Sequence, residues 1–316
     1  MLKDNYTIPT LDEAKKIIIA LKSANWPSYT ERYSLDQYIK DWKSEYFKYC
    51  TIFPQLYKSI PPDNFKRISF FRARPLDEIK NFKLRTEYSY PPSCFTKIGR
   101  CNFPMYPVFY SSINPIISLY ESVKGKELPV RLCLSKWKVR SDLDRNINIS
   151  EFIPPNLPEA NVYSRLLKEK EVNFMIADTL KELTVEQKMG YYELLNYINS
   201  TFVEDTKDNN YSISALLSHY VLYQYIQHSS DVIVYPSIAS GLIGVNAAIH
   251  PNFVDENMYL DKIFIMEVNS YSSNSVNCSL IQHATTNNSR ILWHDPPLSE
   301  EESKNILNGD FGYLFN

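Results

Sequence analysis

Glycine is scarce, with 7 residues in a chain of 316 where ordinary usage of about 7% would supply roughly 22. That scarcity excludes collagen-like repeats, glycine linkers and glycine-rich phosphate loops, and neither GxGxxG nor a P-loop motif occurs. GxSxG and HExxH are missing as well, which removes the common serine-hydrolase and zinc-protease signatures. Charge of one sign is lacking: 34 Lys+Arg face 36 Asp+Glu for a formal net charge of -2. No general basic surface is available to hold a polyanion, so nucleic acid is not an expected partner. The five cysteines (Cys50, Cys94, Cys101, Cys133, Cys278) are odd in number and never spaced CxxC, unlike a disulfide framework or a zinc site. His219, His228, His250, His283 and His294 are scattered, and no metal is expected. No apolar run approaches the ~18 residues that span a bilayer, and the N-terminus lacks the order of a signal peptide. A cytoplasmic chain with no membrane contact is the expectation.

What the chain does have is a 44% apolar content with 14% aromatic residues, enough to bury a core. Thr10-Leu11-Asp12-Glu13 is a capping box ahead of AKKIIIALKSA, and Ser34-Leu35-Asp36-Gln37 repeats the signal ahead of YIKDWKSEYFKYC. Two helices are expected there, forming an N-terminal helical extension over 1–62 that serves packing or holds a partner.

The pattern then turns to strands. Arg67–Arg74 is aromatic-rich and stops at Pro75, and Val108–Ser112 is a second strand. Asn114-Pro115 supplies an N-cap and a first-turn proline for a helix through IISLYESVK. Val130–Leu134 alternates again. Residues from about 159 to 228 read as mostly helical: a run near Ala160–Leu183, one behind Thr184 and one behind Ser212. Asp231–Ser237 and Leu260–Val268 are expected strands, and the tail from Asn269 is rich in Ser and Asn. No internal repeat or low-complexity tract occurs. Irregular alternation with the helices in a block predicts α+β rather than a doubly wound sheet.

The polar groups that stand out sit inside strand-like or apolar stretches. Arg72 follows Ile-Ser-Phe-Phe and needs an anion, because burying an unpaired guanidinium is costly. Arg100 and Asn102 precede Phe103-Pro104. Glu121 lies on the helix after the second strand, Ser237 at a strand end, and Asn246 further on. Two readings stay open on spacing alone. In one, Arg72 and Glu121 form an internal salt bridge while Ser237 caps a turn; in the other, these side chains gather around a ligand.

The ordered set FFRARP, GRCNFPMYPVFYSS, INPIISLYE and VIVYPSIASGLIGVNAAI resembles the RES domain, the toxin half of RES–Xre toxin–antitoxin pairs. It covers roughly 67–135 and 230–270. The chain departs from the family at Arg100-Cys101-Asn102, where an aromatic is usual between Arg and Asn. The resemblance implies an ADP-ribosyltransferase-like mixed sheet core with additional helices. By this likeness 63–316 form a NAD-binding domain with a helical insertion around 159–228. It also implies cleavage of the nicotinamide–ribose bond of NAD+, the substrate, by hydrolysis or phosphorolysis. Protein ADP-ribosylation and a catalytically silent interaction module are the alternatives.

By position Glu121, Arg72 and Ser237 take the family's catalytic places, with Arg72, Arg100, Tyr110, Ser111 and Asn246 binding NAD+. A further family tyrosine falls on Tyr88 or Tyr90. A cognate antitoxin is the implied protein partner. The chemistry suits these residues. Glycosidic cleavage builds positive charge on the ribose, which a carboxylate such as Glu121 stabilises. Guanidinium groups match pyrophosphate bidentately, so a dinucleotide can be gripped without a glycine-rich loop.

Overall fold

The computed structural model describes residues 7–27, 34–161, 182–204, 211–224, 229–272, 275–287 and 290–312. In chain order the first elements are α1 (Leu11–Ser23), α2 (Leu35–Phe47), β1 (Leu56–Ile60), β2 (Ser69–Pro75), β3 (Phe109–Ser112) and α3 (Pro115–Val123). Next come β4 (Val130–Val139), β5 (Ile147–Glu151), α4 (Val185–Thr201), α5 (Ser212–His219) and β6 (Val232–Pro236). The last are β7 (Val245–Ile249), α6 (Pro251–Asn257), β8 (Met258–Ser272), β9 (Ser275–Asn287), β10 (Arg290–Trp293) and α7 (Glu300–Phe311). The chain is mixed α+β, as its pattern predicts. Among the described residues, no helix is long and apolar enough to cross a membrane.

The chain divides into two compact units. The first comprises Met1–Lys58, Ser93–Tyr106 and Asn148–Pro236; the second comprises Ser59–Pro92, Pro107–Ile147 and Ser237–Asn316.

In the first unit both expected capping signals operate. Glu13 accepts from the backbone N–H of Thr10 at 2.8 Å and from its hydroxyl at 2.9 Å, and Ser34 accepts from the N–H of Gln37 at 3.4 Å. The helices bury one stripe: Tyr38, Ile39, Trp42 and Tyr46 of α2 are all enclosed, and Trp26 stacks on Trp42 with ring centroids 4.9 Å apart. β5 and β6 pair in parallel, Ile149 opposite Val232. α4 starts at the capping box of Thr184 and Gln187, and α5 passes into a π-helical turn at Tyr220–Gln224. Of the helical run expected near 160–183, residues 162–181 lie outside the described ones.

The second unit is built on antiparallel strands in the order β7-β3-β2-β4-β8-β9-β10. Alternation gives this sheet two distinct faces. On one, Phe71, Leu132, Leu134, Phe264 and Met266 pack with Leu119 and Val123 of α3 and Phe311 of α7. That burial is the main apolar stabilisation of the face, at about 25 cal/mol per Å² removed from water. α7 is also fixed by charge: Asp310 accepts from Lys136 at 2.8 Å and Lys262 at 2.7 Å. On the other face Trp137 packs edge-on to Phe109 at 5.3 Å, and Arg85 lies over the Trp137 ring at 5.0 Å. The register Phe71↔Ser112 and Ser112↔Asn246 lines up three neighbouring strands at one level. The tail from Asn269, read only as Ser- and Asn-rich, forms the end of β8, then β9, β10 and α7.

Candidate active site

The site grows from the way α3 is fastened. Asn114 accepts from the N–H of Ile116 at 2.8 Å and Pro115 fills the first helical position, so the helix begins immediately after β3. It then runs along β2. Ser118 donates to the carbonyl of Phe71 at 2.5 Å and Ser122 to that of Ala73 at 2.9 Å, while the Tyr120 hydroxyl donates to the carbonyl of Ser272. Three side-chain bonds therefore hold α3 in rotation and depth, and its exposed side carries Glu121.

Two donors converge on one oxygen of Glu121. Oε1 accepts from Oγ of Ser237 at 2.5 Å and from Nδ2 of Asn246 at 2.7 Å. Both donors are buried, Ser237 completely and Asn246 to 7% exposure. The polarity of the Ser237 bond is fixed, because its oxygen also takes the N–H of Ser240 at 3.3 Å, leaving its proton for the carboxylate. Among the described residues no donor reaches Oε2. The group is thus a carboxylate clamped through one oxygen.

Ser237 stands at the head of a tight turn. Its N–H donates to the carbonyl of Gly244 at 2.9 Å, and the N–H of Leu242 donates back to its carbonyl at 2.9 Å. Gly241 and Leu242 both take positive φ, +63° and +66°, a conformation that costs a leucine about 1–3 kcal/mol. Ser240 bridges the turn, donating to the carbonyl of Ser237 at 3.0 Å and accepting from the N–H of Gly244 at 2.9 Å. No sequence motif marks Ser240 or Gly244. The signal available for Gly244 was the rarity of glycine itself.

Arg72 does not join this group, and the salt bridge to Glu121 allowed by spacing does not form. Phe71 and Ala73, its neighbours in β2, turn toward the core under α3, so Arg72 leaves the strand on the opposite face. Its guanidinium returns to the seam of β2 and β3, donating from Nη1 to the carbonyl of Tyr110 at 3.1 Å, and lies 5.9 Å from the centre of the Phe109 ring. Its Nε is sealed from water and, among the described residues, has no hydrogen-bond partner. Among the described residues no carboxylate pairs with it; Glu78 and Glu87 lie with Arg74, at 3.5 and 3.9 Å. Burial first, and then the charge of Arg74, push the Arg72 pKa down to about 10.

The remaining expected ligands have structural partners. Arg100, in the first unit, donates to the carbonyls of Thr201 at 3.3 Å and Glu204 at 3.1 Å and lies over the ring of Tyr211; it closes the end of α4. Ser111 donates to the carbonyl of Ala247 at 3.2 Å. Tyr110 lies two residues before Ser112 in β3, which directs it to the face that carries Asn246. Tyr88 donates to the carbonyl of Phe82 at 3.0 Å, and Tyr90 to the carboxylate of Asp255 at 2.5 Å. No protein-family model, curated protein or solved structure matches the chain.

Proposed function

We propose that the protein is a RES-type NAD+-consuming enzyme that breaks the bond between C1′ of the ribose and the nicotinamide nitrogen. The observation that supports this most directly is the convergence of Ser237 and Asn246 on Oε1 of Glu121. When the glycosidic bond breaks, its electron pair leaves with nicotinamide, which departs neutral, and positive charge spreads over C1′ and the ring oxygen. A carboxylate already aligned by two donors needs no reorganisation as that charge appears. Oε2 faces the ribose in this scheme, and Ser237 and Asn246 keep the carboxylate from rotating away.

Water or inorganic phosphate then forms the new bond to C1′. With water, NAD+ gives nicotinamide, ADP-ribose and a proton; with phosphate, it gives nicotinamide and the 1-phosphate of ADP-ribose. Arg72 stands outside the clamp, on the carbonyl of Tyr110; to take the pyrophosphate-binding role that the RES likeness implies, its guanidinium would have to turn from that carbonyl toward the ligand. Arg100 has no place in this scheme, because both of its Nη atoms donate to carbonyls of the chain and its guanidinium lies over the ring of Tyr211. An ADP-ribosyltransferase-like arrangement of the sheet and a cognate antitoxin as protein partner belong to the same proposal.

The test is to incubate the purified protein with NAD+, with and without phosphate, and to separate nicotinamide, ADP-ribose and its 1-phosphate by chromatography. Nicotinamide released in step with either sugar product is the expected result. Intact NAD+ under both conditions would overturn the proposal.

A further inference from the structure

Gly244 has no contact with the proposed ligand, yet its place in the second unit links it to every part of the Glu121 clamp. Its carbonyl accepts the N–H of Ser237 at 2.9 Å, so one donor to Glu121 hangs from it by a hydrogen bond. Asn246, the other donor, follows two residues later in the same strand direction. The N–H of Gly244 is held by Ser240, whose own N–H sets the polarity of the Ser237 hydroxyl. On its open side stands Ile117 of α3, four residues before Glu121. A Cβ built on Gly244 would lie 2.4 Å from Cδ1 and Cγ1 of Ile117 and 2.9 Å from Cγ2. Those distances are far inside van der Waals contact, and Ile117 is a stiff β-branched residue in a helix that four other residues hold in place.

We propose that Gly244 is a positioning residue, whose missing side chain seats the Ser237–Gly244 turn directly against Ile117 and thereby brings both donors onto Glu121. Any side chain here must push the turn off α3, and the displacement passes to Ser237 and Asn246 together. Its bearing on catalysis rests on the proposed NAD+ cleavage, where a misplacement of about 1 Å can cost on the order of a hundredfold.

Crystal structures of the wild-type protein, Gly244→Ala, Ile117→Ala and the double variant I117A/G244A test it, with nicotinamide release measured on each. In G244A the distance from Ser237 Oγ to Glu121 Oε1 should leave the roughly 2.5–3.0 Å range of an O–H···O bond, with kcat falling and KM for NAD+ nearly unchanged. In I117A/G244A, where the space taken by Ile117 is returned, the bond and the rate should both recover. An unchanged bond in G244A, or a double variant that does not restore it, would overturn the proposal. If G244A fails to fold, the double variant decides: folded with the bond closed supports it, and unfolded while I117A folds refutes it. Absence of NAD+ turnover in the wild type would count against the enzymatic scheme, with the bond lengths still deciding the role of Gly244.

Discussion

Ser237 meets Glu121 across 116 positions of sequence, Oγ to Oε1 at 2.5 Å. The serine is wholly buried and the carboxylate is exposed, so the pair joins a fixed interior to an accessible surface.

Glu121→Gln keeps the shape of the side chain but removes its charge. Nicotinamide release should fall by about two to three orders of magnitude, the size seen when an electrostatic stabiliser is removed. The thermal midpoint should shift little, since the amide oxygen of Gln can still accept from Ser237 and Asn246. Chromatographic turnover assays and a melting curve on the same preparation check both halves.

Ser237→Ala and Asn246→Ala each remove one of the two donors to Oε1. Each should lower kcat with a smaller effect on KM, and the double variant should lose less than the product of the two losses, because both act through one carboxylate. Strict multiplicativity of the losses would show that the donors act independently.

Arg72→Met separates binding from folding. Among the described residues this buried guanidinium has no carboxylate partner, so removing it relieves a desolvation cost that offsets the lost bond to the carbonyl of Tyr110, and the denaturation midpoint in urea should stay level or rise. KM for NAD+ should increase at least about tenfold if the guanidinium grips pyrophosphate with charge-assisted bonds. A fall in stability with KM unchanged would make Arg72 a purely structural residue.

Arg100→Ala should do the reverse. Losing the bonds to the carbonyls of Thr201 and Glu204 should cost about 1–3 kcal/mol in urea unfolding and leave KM for NAD+ as it was.

His219 supplies a pH dependence. It is enclosed by the rings of Phe103, Tyr106 and Tyr223, and burial, followed by the charge of Lys43, lowers its pKa from 6.5 to about 4. Between those values the unfolded chain binds the proton and the native one does not, so stability falls as pH drops through the window. The loss amounts to roughly 3 kcal/mol by pH 4. Urea unfolding at pH 7.5 and 4.5 should show a shallower loss in His219→Gln than in the wild type.

Much of the local structure was legible because its determinants are local. Thr10, Ser34, Asn114 and Thr184 announce their helices through bonds to residues two or three positions on. β9, β10 and α7 were not legible: their Ser- and Asn-rich sequences lack a strong apolar period, and they are held by tertiary contacts such as Asp310 with Lys136 and Lys262. β7 was hidden by its small residues, Ala247 and Ala248.

The candidate site divides in the same way. Alternation in Phe-Phe-Arg-Ala-Arg shows that Arg72 and Phe71 point apart, but only the packing of α3 reveals which face holds Glu121. Likewise, the partners of Arg100 are backbone carbonyls more than 100 positions away, and no side-chain pattern encodes them.

The direction of the Ser237 hydrogen bonds bears on inhibitor design. An oxygen that receives a main-chain N–H, gives its proton to an acid and has no accessible surface offers an electrophile no line of attack. Fluorophosphonates and related serine-directed warheads should therefore leave this protein unlabelled. A ligand aimed at this site under the proposed function has Oε2 of Glu121, rather than the serine, to engage.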